Sequence, residues 1–148
     1  MDVVKSKNFK EPIVLIKILD DGSLLVVDSK TTIRFLNKES LELIDGFKVN
    51  TNHLRYKNSV VAFSSNGDFF ATLSSDCKES RLYNTKTKKL ITKVDRHHGE
   101  ASCVGIDRAN KYMFSCGDDG KTYAFDISSG KLAFTLPIHT DTVNDIAF

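Results

Sequence analysis

Ser115-Cys116-Gly117-Asp118-Asp119-Gly120-Lys121-Thr122-Tyr123-Ala124-Phe125-Asp126 is a turn flanked by two strand-like runs. Asp-Gly between β-branched and aromatic residues is hairpin chemistry: glycine takes the left-handed backbone of a tight turn, and aspartate hydrogen-bonds its own backbone. The stretch is the clearest copy of a pattern that returns along the chain. Strand-sized runs fall at Ile13 to Leu19, Ser23 to Asp28, Thr32 to Asn37 and Leu41 to Asp45. A second set lies at Ser59 to Ser64, Phe69 to Ser74, Ser80 to Asn84 and Lys89 to Val94, and a third at Ala101 to Asp107, Tyr112 to Cys116, Lys121 to Asp126 and Lys131 to Leu136.

The three sets align. Turns between first and second runs carry Asp20-Asp21-Gly22, Ser65-Asn66-Gly67 and Arg108-Ala109-Asn110, so Asp21 to Asn66 spans 45 residues and Asn66 to Asn110 spans 44. Third runs end on Leu36-Asn37, Tyr83-Asn84 and Phe125-Asp126. The same alignment places Asp76 opposite Asp118. A steady period of this length marks a repeat architecture, here all-β and built from four-stranded antiparallel units. After the third unit, His139 to Phe148 repeats the approach to a first strand.

Four-stranded units of this length, with His97 ahead of a first strand and Phe125-Asp126 closing a third, resemble the WD40 repeat of β-propellers. The resemblance implies a hydrogen-bonded network within the blade, formed by His97, Ser115, Asp118 or Asp119, and Phe125. A buried imidazole needs partners for both ring nitrogens, and a carboxylate with a hydroxyl supplies them. The chain has no Trp, and Leu36, Tyr83 and Phe125 stand where the signature aromatic would be. This divergence is similar to that of bacterial WD40-like proteins, including one encoded beside the periplasmic nitrate reductase system.

The implied organisation is one propeller domain or part of one, with an N-terminal arm at 1–11, blades at 12–49, 57–97 and 98–139, and the start of a fourth at 140–148. Three blades and a first strand make an incomplete ring, because propellers close with about four to eight blades. The chain is therefore expected to be the N-terminal part of a larger propeller, with a latch strand in Asp2 to Phe9, or to complete a ring by homo-oligomerisation through its open edges. Val143 to Phe148 is expected to be an exposed first strand that favours such pairing.

Composition bounds the chemistry. The formal net charge of +2 in 148 residues does not call for nucleic acid or an acidic membrane as partner. No run approaches the roughly 20 apolar residues that span a bilayer, and Met1 to Lys10 has no apolar stretch behind its lysines, so a cytoplasmic location is expected. Cys77, Cys103 and Cys116 form no C-x-x-C pair. His97-His98 with Glu100 and Cys103 is zinc-like in composition, but the repeat already employs His97, and adjacent residues of an extended chain point apart. No metal, cofactor or catalytic residue is expected.

Cys116 to Tyr123 comes near the Asp-box of sialidase-type propellers, itself a structural hairpin. A serine hydrolase lacks its G-x-S-x-G turn, and a phosphate loop lacks its glycines. The basic run Lys86 to Lys93 reads first as an outer-edge guard against aggregation. The expected function is a non-catalytic protein-interaction scaffold. Its partner-binding rim, placed by the resemblance, holds His53, Arg96, His98, Glu100, His139 and Asp141 beside the Asp76 and Asp118 turns. The alternatives are a propeller enzyme or redox accessory factor whose active groups lie outside this chain, and a module that self-associates.

Overall fold

Alternation of apolar and polar residues over five or six positions places one side of each run in a core, and the turn residues between runs return the chain antiparallel. The computed structural model describes residues 5–51, 60–137 and 139–148. Its strands are β1 (Ile13–Ile18), β2 (Leu24–Asp28), β3 (Thr32–Leu36), β4 (Leu43–Lys48), β5 (Val61–Phe63), β6 (Phe69–Leu73), β7 (Ser80–Asn84), β8 (Leu90–Val94), β9 (Ala101–Ile106), β10 (Tyr112–Gly117), β11 (Thr122–Asp126) and β12 (Leu132–Leu136). They form three antiparallel four-stranded sheets, each a simple up-and-down meander.

The last turn of each sheet follows one plan. Asn37, Asn84 and Asp126 each turn a side-chain oxygen back onto the turn, accepting the Ser40, Thr87 and Ser129 amides at 2.9 Å. Each also accepts, through its carbonyl, the amide of a left-handed residue: Leu41, Lys88 and Gly130. Just before this turn the pairing slips by one residue in every sheet, at Phe35/Leu36, Leu82/Tyr83 and Ala124/Phe125. The residue closing each third run is therefore a turn cap.

In the first unit this geometry moves the last strand. The expected Leu41 to Asp45 becomes Leu43–Lys48, because Leu41 has φ 58° inside the turn. The sequence 140–148 also differs from expectation. It forms no strand, and Val143 is instead buried against Cys103 and Cys116 on the third sheet. A strand is defined by a hydrogen-bonded neighbour, and this segment makes its contacts through side chains and isolated backbone bonds. Residues 5–9 of the expected latch likewise lie outside any strand, with Lys7 Nζ donating to Leu41 O at 2.6 Å and Phe9 beneath the Arg34 guanidinium.

One apolar core runs between the sheets. Leu25, Val27, Ile33 and Phe35 of the first sheet meet Val61, Phe63 and Phe70 of the second, whose Ala71, Leu73 and Leu82 share a core with Val104, Ile106, Met113 and Phe125 of the third. The first junction is rich in aromatics: Phe63 meets Phe35 edge-on at 6.4 Å, and Phe70 lies 5.3 Å from Phe47 and 4.9 Å from Tyr83. At one end of the sheets the first turns bond to one another. Ser65 Oγ donates to Asp20 at 2.8 Å and Ser65 N to Asn110 at 2.7 Å, each across 45 residues of sequence. The first turns of successive units are thus neighbours in space, with Asp20 and Ser65 in like positions and Asn110 in the left-handed place that Gly67 holds in the second turn.

Leu82 is fully buried at the centre of the second sheet. Leu82→Ala is expected to cost about 2–5 kcal/mol through lost burial and the cavity left behind, read as a lowered denaturant midpoint. Exposed Lys86→Ala should stay within about 0.5 kcal/mol.

Candidate functional site

His97 sits in the loop between β8 and β9 with its side chain fully buried. Its Nδ1 lies 2.9 Å from Asp119 Oδ1 and its Nε2 lies 2.8 Å from Ser115 Oγ. Ser115 Oγ is in turn 2.8 Å from Ser80 Oγ on the second sheet. An ionised carboxylate only accepts, so Nδ1–H donates to Asp119, and in that tautomer Nε2 accepts from Ser115. The chain Ser80, Ser115, His97, Asp119 therefore spans two sheets.

Gly117 makes room for the ring, since a Cβ there would collide with His97 Nδ1. Tyr123 packs edge-on against the imidazole at 4.8 Å and donates its hydroxyl to Arg96 O at 3.4 Å. The resemblance pointed to Phe125 for the aromatic member. Phe125 instead lies in the core, paired across the sheet with Met113, and a phenyl ring has no hydrogen to donate. Tyr123 shares Phe125's face of β11 two positions earlier, and that period of two was the signal available in the sequence.

Asp119 is held by three donors. Burial pushes its carboxyl up, but the bonds from His97 and from the His98 and Lys121 amides outweigh it and leave Asp119 below the usual carboxylate range. The turn register also corrects the alignment of the units. Cys77 and Gly120 are the left-handed residues of their turns, at φ 57° and 72°. Asp76 is therefore the counterpart of Asp119, while Asp118 corresponds to Ser75; the second turn holds one extra residue before its next strand. In the first sheet the carboxylate comes from Asp28, which sequence reasoning did not single out. Asp28 accepts the Lys30 and Thr32 amides at 2.9 and 3.0 Å and an Arg34 Nη1 hydrogen bond at 2.7 Å.

Serine, histidine and aspartate at these distances repeat the connectivity of a hydrolytic triad. Ser115 is nevertheless 0% exposed, lies within strand β10 and has Ser80 as a further partner. No substrate carbonyl reaches it, and the arrangement serves to tie the loop to two sheets. Cys103 does not join His97 and Glu100. It faces the opposite side of the third sheet, directly across from Cys116, and both thiols are buried. The bond between them pushes Cys103 up and Cys116 down, as expected when one thiolate accepts from the other thiol. Among the described residues no group of three or more His, Cys, Asp or Glu is arranged to hold a metal.

The buried network fixes an exposed rim. Asp118 N donates to Glu100 O at 3.0 Å, Glu100 N to Asp118 Oδ2 at 3.4 Å and His98 N to Asp119 Oδ2 at 3.2 Å. Ala101 N reaches Cys77 O at 2.6 Å, bringing the Asp76 turn alongside. The carbonyls of His139 and Asp141 press on Gly120. Arg96, His98, Glu100, Asp118, His139 and Asp141 are all exposed around this backbone. His53 lies outside the described residues.

Sheets of four meandering strands stacked face to face around a shared core are the blades of a β-propeller. The blades have the WD40 fold. Over 92% of this chain the structure matches two solved chains, "Structure of U3-55K" at TM-score 0.64 and "Crystal structure of RRP9 WD40 repeats" at 0.65, each with 15% identity and with 42% of that chain covered. No family model matches the sequence. Among curated proteins it is similar to the Pre-mRNA-splicing factor PRP46 of Candida glabrata, 38% identical over 55 residues, covering 36% of this chain and 13% of that protein. It is also similar to the Eukaryotic translation initiation factor 3 subunit I of Vanderwaltozyma polyspora, 27% identical over 105 residues, covering 60% of this chain and 30% of that protein. The chain thus spans less than a third of the curated relatives it matches.

Because Asp119 is held below its unfolded value, its contribution to stability is present above about pH 3.9 and is lost as the pH falls through the lower folded value. Asp119→Asn should lower stability at pH 7 and flatten its decline on acidification below pH 4, followed by denaturant midpoints across that range. An unchanged acid slope would show that Asp119 is not held by this network.

Proposed function

We propose that the chain is a non-catalytic protein-interaction scaffold whose docking surface is the rim around the 95–100 loop and the 117–120 turn. The observation that carries this reading is the contrast at that rim between a pinned backbone and exposed side chains. Arg96, His98, Glu100, Asp118, His139 and Asp141 are exposed, while Arg96 O and His98 N bond to Tyr123 and Asp119 of the His97 network and the Glu100 and Asp118 backbones bond within the rim. A rigid scaffold presenting polar loop residues loses little conformational entropy on binding, the condition for selective recognition by small contacts.

Charge narrows the partner. Asp76, Asp95, Glu100, Asp118 and Asp141 outnumber the nearby Lys78, Arg96 and Lys121, so the rim favours a segment that brings basic and hydrogen-bond-donating groups. The relatives support the same reading, one being a splicing factor and another a subunit of an initiation factor. The partner on this view is another protein subunit of an assembly, and we place the association in the cytoplasm. Nothing in the geometry favours the enzymatic alternative, since the nucleophile-like Ser115 is sealed from solvent.

The test is affinity capture from the host with the wild-type chain and the Arg96→Ala/Glu100→Ala variant. Both substitutions are at exposed side chains and leave the His97 network in place. If Arg96 anchors the contact, the variant should lose at least about 2 kcal/mol of binding, some thirtyfold in affinity, while Lys86→Ala on the far turn retains it. A partner recovered equally by both chains places the docking surface elsewhere.

A further inference from the structure

The second and third blades each insert the same two side chains into the preceding blade. Val61 and Phe63 of β5 face the first sheet, and Val104 and Ile106 of β9 face the second; all four are buried in the shared core. The repeat carries this pair forward to Ile146 and Phe148 and back to Ile16 and Ile18, at spacings of 42 and 45 residues. The chain therefore holds four copies of one plug.

The forward copy is seated without being a strand. Phe148 lies 4.9 Å from the Phe114 ring, and a Cβ at Gly105 would lie 2.8 Å from both Ile146 and Phe148, so glycine leaves the space they fill. Val143 N donates to Gly117 O at 3.2 Å and Arg108 Nε to Phe148 O at 3.1 Å. Residues 143–148 thus cover the inner half of the third sheet's outer face. Its outer half stays open, with Phe134 40% exposed beside Phe114 and Tyr112. The backward copy has no seat: Ile16 is 63% and Ile18 is 70% exposed, against 4% and 3% for Val61 and Phe63.

We propose that Ile16 and Ile18 on the first sheet of a second copy of this chain dock on the third sheet of the first copy, and that residues 143–148 guard that seat until displaced. The occupant is a second copy because the interface continues those already buried between the blades, where this sequence's own first strands are the complementary surface. Each copy carries one plug and one seat, so the contact is head to tail and closes when two copies satisfy each other. The surface is distinct from the rim, and its failure leaves the scaffold reading untouched.

The test is sedimentation equilibrium on the full chain and on the Ile146→Asp/Phe148→Asp variant, with circular dichroism to establish that each is folded. Removing the internal competitor raises the apparent affinity by the inverse of the fraction of open seats. The variant should therefore dimerise at least about tenfold more tightly than the wild type, and adding Ile16→Asp and Ile18→Asp should return it to monomer. Hydrogen exchange on the unsubstituted chain gives a second readout, in which the Val143 amide loses protection as protein concentration rises. A folded tail variant that stays monomeric overturns the proposal. So does association that survives the Ile16 and Ile18 substitutions, or a Val143 amide whose protection grows with concentration.

Discussion

A four-stranded meander has two faces and cannot bury either by itself, so the first two sheets depend on the side chains that the next first strand drives into them. Val61 and Phe63 do this for the first sheet, and Val104 and Ile106 for the second. Full burial of a side chain of this size stabilises by about 1.5–3 kcal/mol, and each junction multiplies it through the residues the pair touches. The Phe35, Phe63, Phe70 and Tyr83 contacts follow from that stacking. With ten phenylalanines and no tryptophan, the chain builds its junctions from rings that need no polar partner.

Apolar stacking sets how close the sheets come but leaves them free to slide, since it has little directional preference. Polar contacts at the two ends remove that freedom. At one end, Asp20, Ser65 and Asn110 join the first turns of neighbouring blades. At the other, Ser80 meets Ser115, and Ser115 meets His97. These bonds sit where the strands begin and stop, so they fix relative height as well as contact. The rim is ordered for that reason: the groups that hold blade to blade also hold the loops.

The sequence was most readable where a single residue determines backbone geometry. Asn37, Asn84 and Asp126 could be recognised as turn residues because their short side chains bond the following amides, and Ser80 to Asn84 is found as expected. Legibility failed where geometry depends on non-local partners. Leu41 carries no mark of a left-handed residue, so the start of β4 was misplaced. Whether Val143 to Phe148 forms a strand depends on what lies beside it, which alternation cannot report. The Asp76 turn holds one residue more than the Asp118-Asp119 turn, and adjacent acidic residues give no means of counting it. Within the network, the resemblance to a family pattern named His97, Ser115 and a choice of Asp118 or Asp119, whereas Tyr123 depends on which face of a strand is turned inward, as does Asp28 in the first sheet.

The Ser115, His97 and Asp119 arrangement shows why distances between groups do not define chemistry. A nucleophilic serine needs an open approach for its substrate and donors placed for the developing oxyanion. Ser115 points between two sheets, and Ser80 lies within hydrogen-bond reach of its oxygen. Here the imidazole lies between Tyr123 and Gly117, with both nitrogens bonded and its side chain closed to water. The features that would make the triad reactive are those the fold removes, and what remains is a directional clamp between two blades.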